Sequence, residues 1–212
     1  PAVPAFPKVT NQAKGGVYLA TKTDVTQSSF AMGHLGGEFR DKDYPALEVM
    51  ADILGGGFHS RLFREVRSKL GYAYDVGAGW GASYDHPGVF EIEGSTKSPT
   101  TIQTLQAVEK EVSRIRSEEV TEEEVKSARD TVLNGFIFAF DTPAKTLNRL
   151  VRYRYYGYPD AFLFEYQKAI GKVTREDVLR VAKQYLDPSK FVIVVTGNPK
   201  DFGASLNTLE LP

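Results

Sequence analysis

Between Tyr72 and Ala82 the chain alternates strictly. Tyr72, Tyr74, Val76, Ala78, Trp80 and Ala82 fall on one side of an extended chain, and Gly77, Gly79 and Gly81 on the other. A period of two belongs to a strand, so any fold for this chain must contain a sheet. Glycine at alternate positions weakens a strand, and its usual reason is close approach by another backbone. A packed helix is the expected neighbour, with an extended ligand as the other reading. Asp85-His86-Pro87-Gly88 then marks a turn, and Phe90 and Ile92 alternating with Glu91 and Glu93 give an antiparallel return strand.

The same reasoning orders the remaining chain. Val17, Tyr18 and Leu19, then Phe30, Met32 and His34 alternating with Ser29, Ala31 and Gly33, predict two strands paired across a polar turn at Thr23-Asp24. Asp43 and Tyr44-Pro45 open a helix with Ala46, Leu47, Met50, Ile53 and Leu54 on one face, and Gly55-Gly56-Gly57 ends it. A second helix starts near Ser60. Later helices carry Ile102, Leu105, Glu109, Val112 and Ile115; Val125, Ala128, Val132, Leu133 and Phe136 behind a Thr121/Glu124 capping box; Leu147, Leu150 and Val151 after Pro143; and a short stretch over 162–170. Thr174 caps a last helix with Val178, Val181, Ala182, Tyr185 and Leu186 on one face. The five apolar residues Phe191 to Val195 predict a strand buried on both faces.

This order describes an α+β chain, a two-layer α/β sandwich whose mostly antiparallel sheet is covered by helices on one side. Residues 15–198 read as one domain, residues 1–14 as a Pro-rich linker or arm, and residues 199–212 as a C-terminal tail. The chain begins Pro1-Ala2-Val3-Pro4 with no initiating Met, which suggests a processed protein or an excised domain.

Composition narrows the chemistry. With 212 residues, 26 Lys+Arg against 27 Asp+Glu and a net charge of −1, the chain lacks the basic footprint of a nucleic-acid or anionic-membrane binder. No apolar run approaches the ~20 residues of a spanning helix. No Cys is present, which removes disulfides, thiolate metal sites and Cys nucleophiles and leaves the compartment open. The three histidines, His34, His59 and His86, form neither H-E-x-x-H nor H-x-x-E-H. His34 reads as a satisfied sheet histidine, His59 as part of a loop end and His86 as a turn residue. There is no G-x-S-x-G elbow, and Gly55-Gly56-Gly57 follows a helix and lacks a Walker Lys. The stretch Arg149 to Tyr156 reads as a helix divided into buried and solvated faces, and Glu118, Glu119, Glu122, Glu123 and Glu124 as a solvated helix start.

One constellation stands apart: Gly55-Gly56-Gly57-Phe58-His59-Ser60-Arg61-Leu62-Phe63-Arg64-Glu65-Val66-Arg67-Ser68-Lys69-Leu70-Gly71-Tyr72-Ala73-Tyr74-Asp75-Val76. It closely resembles the second, zinc-free half of the M16 metallopeptidases, the family of pitrilysin and the mitochondrial processing peptidase. Ala182-Lys183-Gln184-Tyr185-Leu186-Asp187-Pro188 ahead of a hydrophobic strand and Gly197 is also typical. The resemblance spans residues 15–198 and implies the LuxS/MPP-like metallohydrolase fold. It carries over two residues, Arg67 and Tyr74, as an accessory pair that contacts the substrate backbone and stabilises the developing oxyanion. A guanidinium and a phenol suit that role, because preorganised donors aimed at developing charge are worth about 3 kcal/mol each.

The missing H-x-x-E-H belongs to the other half of the family's architecture. The resemblance therefore implies no cofactor in this chain, zinc in a partner domain or subunit, peptide substrates, and no proteolysis by this chain alone. The alternative is a non-catalytic scaffold of the same fold, like the core subunits of respiratory complexes. By resemblance the location is extracytoplasmic, with the bacterial periplasm as the leading expectation.

Overall fold

Apolar side chains at alternate strand positions commit one face of the sheet to a core, and the helices supply the other wall. The computed structural model describes residues 6–9 and 13–209. Its strands are β1 (Gly16–Thr21), β2 (Gln27–Leu35), β3 (Gly37–Glu38), β4 (Ala73–Trp80), β5 (Ala82–Ser83), β6 (Val89–Lys97) and β7 (Val192–Gly197). Five of them form a sheet in the order β1-β7-β2-β6-β4, antiparallel throughout except for the parallel β1/β7 edge. β3 and β5 make a separate two-stranded ribbon. In register, Met32 is flanked by Ile92 on one side and Ile193 on the other, so one row of fully buried side chains crosses the middle of the sheet.

The helices are α1 (Tyr44–Gly55), α2 (Thr101–Ser117), α3 (Glu122–Ala139), α4 (Pro143–Tyr155), α5 (Phe162–Ile170) and α6 (Arg175–Tyr185). α1 is the central one, packed on β4, α3 and α6. The two threonine caps expected from the sequence form full capping boxes, Thr121 with Glu124 and Thr174 with Asp177, which satisfy backbone N–H groups that a helix start otherwise leaves bare. Phe202 and Leu209, near the C-terminus, pack into the same core. Of the arm expected over residues 1–14, residues 1–5 and 10–12 lie outside the described residues; Phe6 stacks on His86, ring centroids 3.8 Å apart.

Four expectations need correction. β1 does not pair with β2, because β7 lies between them. The most apolar strand takes an interior place, and β1, exposed along most of its length, takes the edge. β7 is buried only on the helix side: Ile193 and Val195 are fully covered, whereas Val194 is 40% exposed on the opposite, helix-free face. The glycine face of β4 is not the helix side either. Gly77 and Gly79 pair in register with Glu93 and Glu91 on the helix-free face. A Cβ at Gly79 would meet open space, and one at Gly77 would reach only the Gly55 carbonyl oxygen, at 3.4 Å. The close approach is made by α1 through its own last residue, since a Cβ on Gly55 would overlap the Ala78 backbone nitrogen. Finally, α4 does not divide into buried and solvated faces as expected: Leu147, Leu150 and Val151 point outward, and Tyr153 is its one buried residue.

Candidate functional site

The segment after α1 is built from Gly57 onward. The Ser60 amide donates to the Gly57 carbonyl, and the Phe63 amide to the Ser60 hydroxyl, closing the turn that starts the next helix. That helix is a π-helix over Phe63–Lys69, not the α-helix expected from Ser60. Its wide turn is visible in the Leu70 amide bonding to the Glu65 carbonyl, five residues back. Single π-turns recur at functional sites because they re-aim side chains. Leu62 and Val66 are fully buried and anchor one side of the segment; Phe63 and Arg67 emerge on the other.

Arg61 fixes this segment to the helical layer. Its Nε and Nη2 donate to the two carboxylate oxygens of Glu124 at 2.7 and 3.0 Å. Burial pushes the Glu124 carboxyl up, but the Arg61 bonds and the Thr121 amide outweigh it and hold the group at about 2. Glu124 is thus not part of the solvated acidic start expected for α3; it closes the capping box and the ion pair together. Arg64 also reaches Glu124, and Lys69 pairs with Glu65, so the carboxylates of the segment are engaged by its other cations.

Arg67 has aromatic neighbours instead. Its guanidinium carbon lies 4.7 Å from the Phe63 ring centroid and 5.7 Å from that of Tyr74. Phe58 meets Phe63 edge-on at 4.9 Å, extending the row. Gly71, at φ +66°, turns the chain out of the helix, a left-handed conformation that favours glycine. The Thr96 hydroxyl then donates to the Tyr72 carbonyl at 2.6 Å and holds the entry to β4.

A β-bulge decides where Tyr74 goes. Ala73 pairs with Thr96 and Asp75 with Ser95, leaving Tyr74 as the extra residue. Ala73 and Val76 are buried, and Tyr74 is 74% exposed. The strict alternation that placed Tyr74 beside Val76 and Trp80 therefore fails at its N-terminal end, and this failure brings the phenol to the guanidinium. The structure juxtaposes the two predicted residues, Arg67 and Tyr74, on one exposed surface. Phe58 and Phe63 were not foreseen as its neighbours; for Phe63 the signal was its place four residues before Arg67.

A polar cavity of about 500 Å³ opens beside the segment, lined among others by Asp52, His59, Arg64, Glu65, Glu119 and Glu123. Among the described residues no group of three His, Asp or Glu is placed to hold a metal ion, so the donor set does not fit zinc. The histidines are dispersed. His34 sits among Trp80, Phe90 and Phe191, with Nδ1 2.7 Å from the Leu35 carbonyl and its pKa lowered by burial. It is only half satisfied, since Nε2 is buried with no partner among the described residues. His86 pairs with Asp85 in its turn. Among the described residues no helix is long and apolar enough to cross a membrane.

Comparison with known proteins agrees with this geometry. The family model "Peptidase M16 inactive domain" matches residues 1–132. An uncharacterized zinc protease of Bacillus subtilis is 24% identical over 131 residues, covering 62% of this chain and 32% of that protein. A second, from Streptomyces coelicolor, is 26% identical over 206 residues, covering 97% of this chain and 44% of the relative. The crystal structure of a peptidase M16 inactive domain from Pseudomonas fluorescens superposes with a TM-score of 0.84 at 27% identity, over 93% of this chain and 47% of that one. The chain thus spans less than half the length of each of these three relatives. The zinc-free sandwich, the row from Gly55 to Tyr74 and these matches place the chain in the inactive-domain family of the M16 peptidases.

Proposed function

We propose that this chain is the substrate-binding, zinc-free half of an M16-type zinc endopeptidase, contributing Arg67 and Tyr74 to a site whose H-x-x-E-H motif lies in another domain or subunit. The observation that carries this reading is the placement of Arg67 between the Phe63 and Tyr74 rings, next to an outward-facing phenol. The rings fix the guanidinium in position without neutralising it. Its N–H groups remain donors for a peptide carbonyl, and the Tyr74 hydroxyl supplies a second donor beside them. Donors already aimed where a carbonyl oxygen gains negative charge need no reorganisation during reaction, which is where such groups are most effective. Zinc, in the partner half, would polarise the scissile carbonyl and activate water.

The test is hydrolysis of quenched fluorescent peptides by this chain, by a zinc-bearing M16 half, and by the two together with zinc. Turnover only in the combination, reduced in Arg67→Ala and Tyr74→Phe, supports the reading. Full turnover by both variants removes the assigned role. Association without any hydrolysis assigns the chain to a non-catalytic scaffold of the same fold.

A further inference from the structure

The two charged residues of α1, Glu48 and Asp52, both face a cavity that involves neither Arg67 nor Tyr74. With Tyr44 they stand four residues apart, on one stripe of the helix. The cavity measures about 420 Å³ and lies between α1 and residues of α3, α4 and α5. Its walls are aromatic: Phe39, Tyr44, Tyr166, Phe162 and Tyr153 meet in series, with neighbouring ring centroids 5.2 to 6.4 Å apart. Gly135, in the middle of α3, lines the same space, and a Cβ there would meet nothing within 4 Å. Glycine weakens a helix interior, and no neighbouring atom demands it here, so what it contributes is room.

The carboxylates in this cavity lack compensation. Glu48 Oε2 is buried with no partner among the described residues. Arg149, the one cation of the lining, lies over the Phe140 ring, 5.5 Å from its centroid. Burial holds Glu48 and Asp52 above the ordinary carboxylate range, against the opposing pull of Arg149 on the first and His59 on the second. A carboxylate short of positive charge inside an aromatic cavity is completed by a cation, because the carboxylate and the ring faces attract the same charge.

We infer that this cavity is a binding site for a small primary amine with an aromatic body. The ammonium sits at Glu48, with the Asp52 charge one turn further along α1, and the ring of the ligand packs among Tyr44, Tyr153, Phe162 and Tyr166. The volume is at the small end of the roughly 300–1,000 Å³ typical of ligand pockets, which suits one ring and a short amine. An anion would meet two carboxylates, and a neutral ligand would leave Glu48 uncompensated.

The experiment is titration calorimetry of the full chain at pH 8 with phenethylamine, compared with 2-phenylethanol and phenylacetate, which keep the ring and change the charge. The variants are Glu48→Gln, Gly135→Leu and, as a control elsewhere, Glu122→Gln. The expected result is saturable binding of phenethylamine about 10-fold or more tighter than 2-phenylethanol, a loss of about 10-fold or more in Glu48→Gln, and no change in the control. Gly135→Leu places a side chain in the cavity and should abolish binding, and thermal melts of both variants separate lost binding from lost fold. Equal binding of amine and alcohol, or an amine affinity that Glu48→Gln leaves unchanged, overturns the cation site. No binding of phenethylamine by wild type overturns it as well. Tighter binding of Nα-acetyl-lysine amide than of phenethylamine overturns the free amine and assigns the cavity to a lysine side chain.

Discussion

Arg61 and Glu124 are joined by a two-pronged ion pair at 2.7 and 3.0 Å, with both side chains largely out of solvent. The pair links the segment that positions Arg67 to the first turn of α3, where Glu124 also accepts from the Thr121 amide. Burying two charges is costly, and the structure meets that cost with fork geometry and an additional backbone donor.

Removing either partner should therefore be severe. Glu124→Ala leaves the Arg61 guanidinium buried beside nothing anionic and opens the capping box, so a loss of about 3–5 kcal/mol is expected. Arg61→Lys should recover only part of it, because an ammonium cannot form the fork. Chemical denaturation of the two variants checks this. The same pair predicts acid sensitivity: Glu124 is held at about 2 against an ordinary 4.5, so its contribution is complete above pH 4.5 and is lost as the pH falls toward 2.

The Arg67–Tyr74 pair makes the opposite prediction, large for function and small for stability. On the proposed function, Arg67→Ala should lower kcat of this chain combined with a zinc-bearing half by about 10²–10³, the range for removing one preorganised donor. Tyr74→Phe keeps the ring under the guanidinium and should cost about 10-fold. Since both groups face solvent, the melting transition of this chain should move by less than about 0.5 kcal/mol. Phe63→Leu should loosen Arg67 without touching substrate, raising KM more than it lowers kcat. Steady-state kinetics with parallel thermal melts separates these outcomes.

A second titration opposes that of Glu124. Burial raises the Glu48 carboxyl to about 7, with the Tyr44 hydroxyl and Arg149 opposing and the Asp52 charge adding to the rise. Asp52 itself is raised to about 6 by burial, against the pull of His59. For Glu48 the folded value lies above the ordinary 4.5, so the folded state binds the proton more tightly. Its contribution is complete below pH 4.5 and is lost as the pH rises through 7. Stability should thus fall between pH 5 and pH 8. Glu48→Gln should be near neutral at pH 5 and stabilising at pH 8 by up to about 3 kcal/mol. Urea denaturation at the two pH values provides the check, and a Glu48→Gln variant equally stable relative to wild type at both would contradict it.

Much of this was legible because local chemistry fixes local structure. Thr121 with Glu124, and Thr174, marked helix starts that the structure reproduces, and the glycines after Leu54 marked a helix end. Arg67 and Tyr74 were legible only through their family motif. What brings them together was not, because neither the π-turn nor the bulge leaves a periodic trace: both arise where burial of Leu62, Val66 and Ala73 competes with regular hydrogen bonding. The position of β7 between β1 and β2 depends on pairing across more than 150 residues, which adjacent turn signals cannot specify. For α4, spacing identified a stripe at Leu147, Leu150 and Val151, but periodicity says only that one face is apolar, not that the face belongs to this domain's core.

The glycine triplet offers a test in which two residues of one type, Gly55 and Gly57, should behave oppositely. A Cβ on Gly55 would overlap the Ala78 nitrogen and lie 2.5 Å from the Ala78 Cβ, whereas one on Gly57 would meet nothing within 4 Å. Neither glycine has a positive φ, so the difference is one of space and not of backbone strain. Gly55→Ala should push α1 off β4 and cost about 3 kcal/mol or more, since backbone on both sides must move. Gly57→Ala should be neutral or stabilising by up to about 1 kcal/mol, through reduced freedom of the unfolded chain. Because α1 leads directly into the segment that presents Phe58, Phe63 and Arg67, on the proposed function Gly55→Ala should also reduce turnover in combination with a zinc-bearing half, while Gly57→Ala leaves it intact. Equal stability of the two variants would show that α1 does not seat against Ala78 as described.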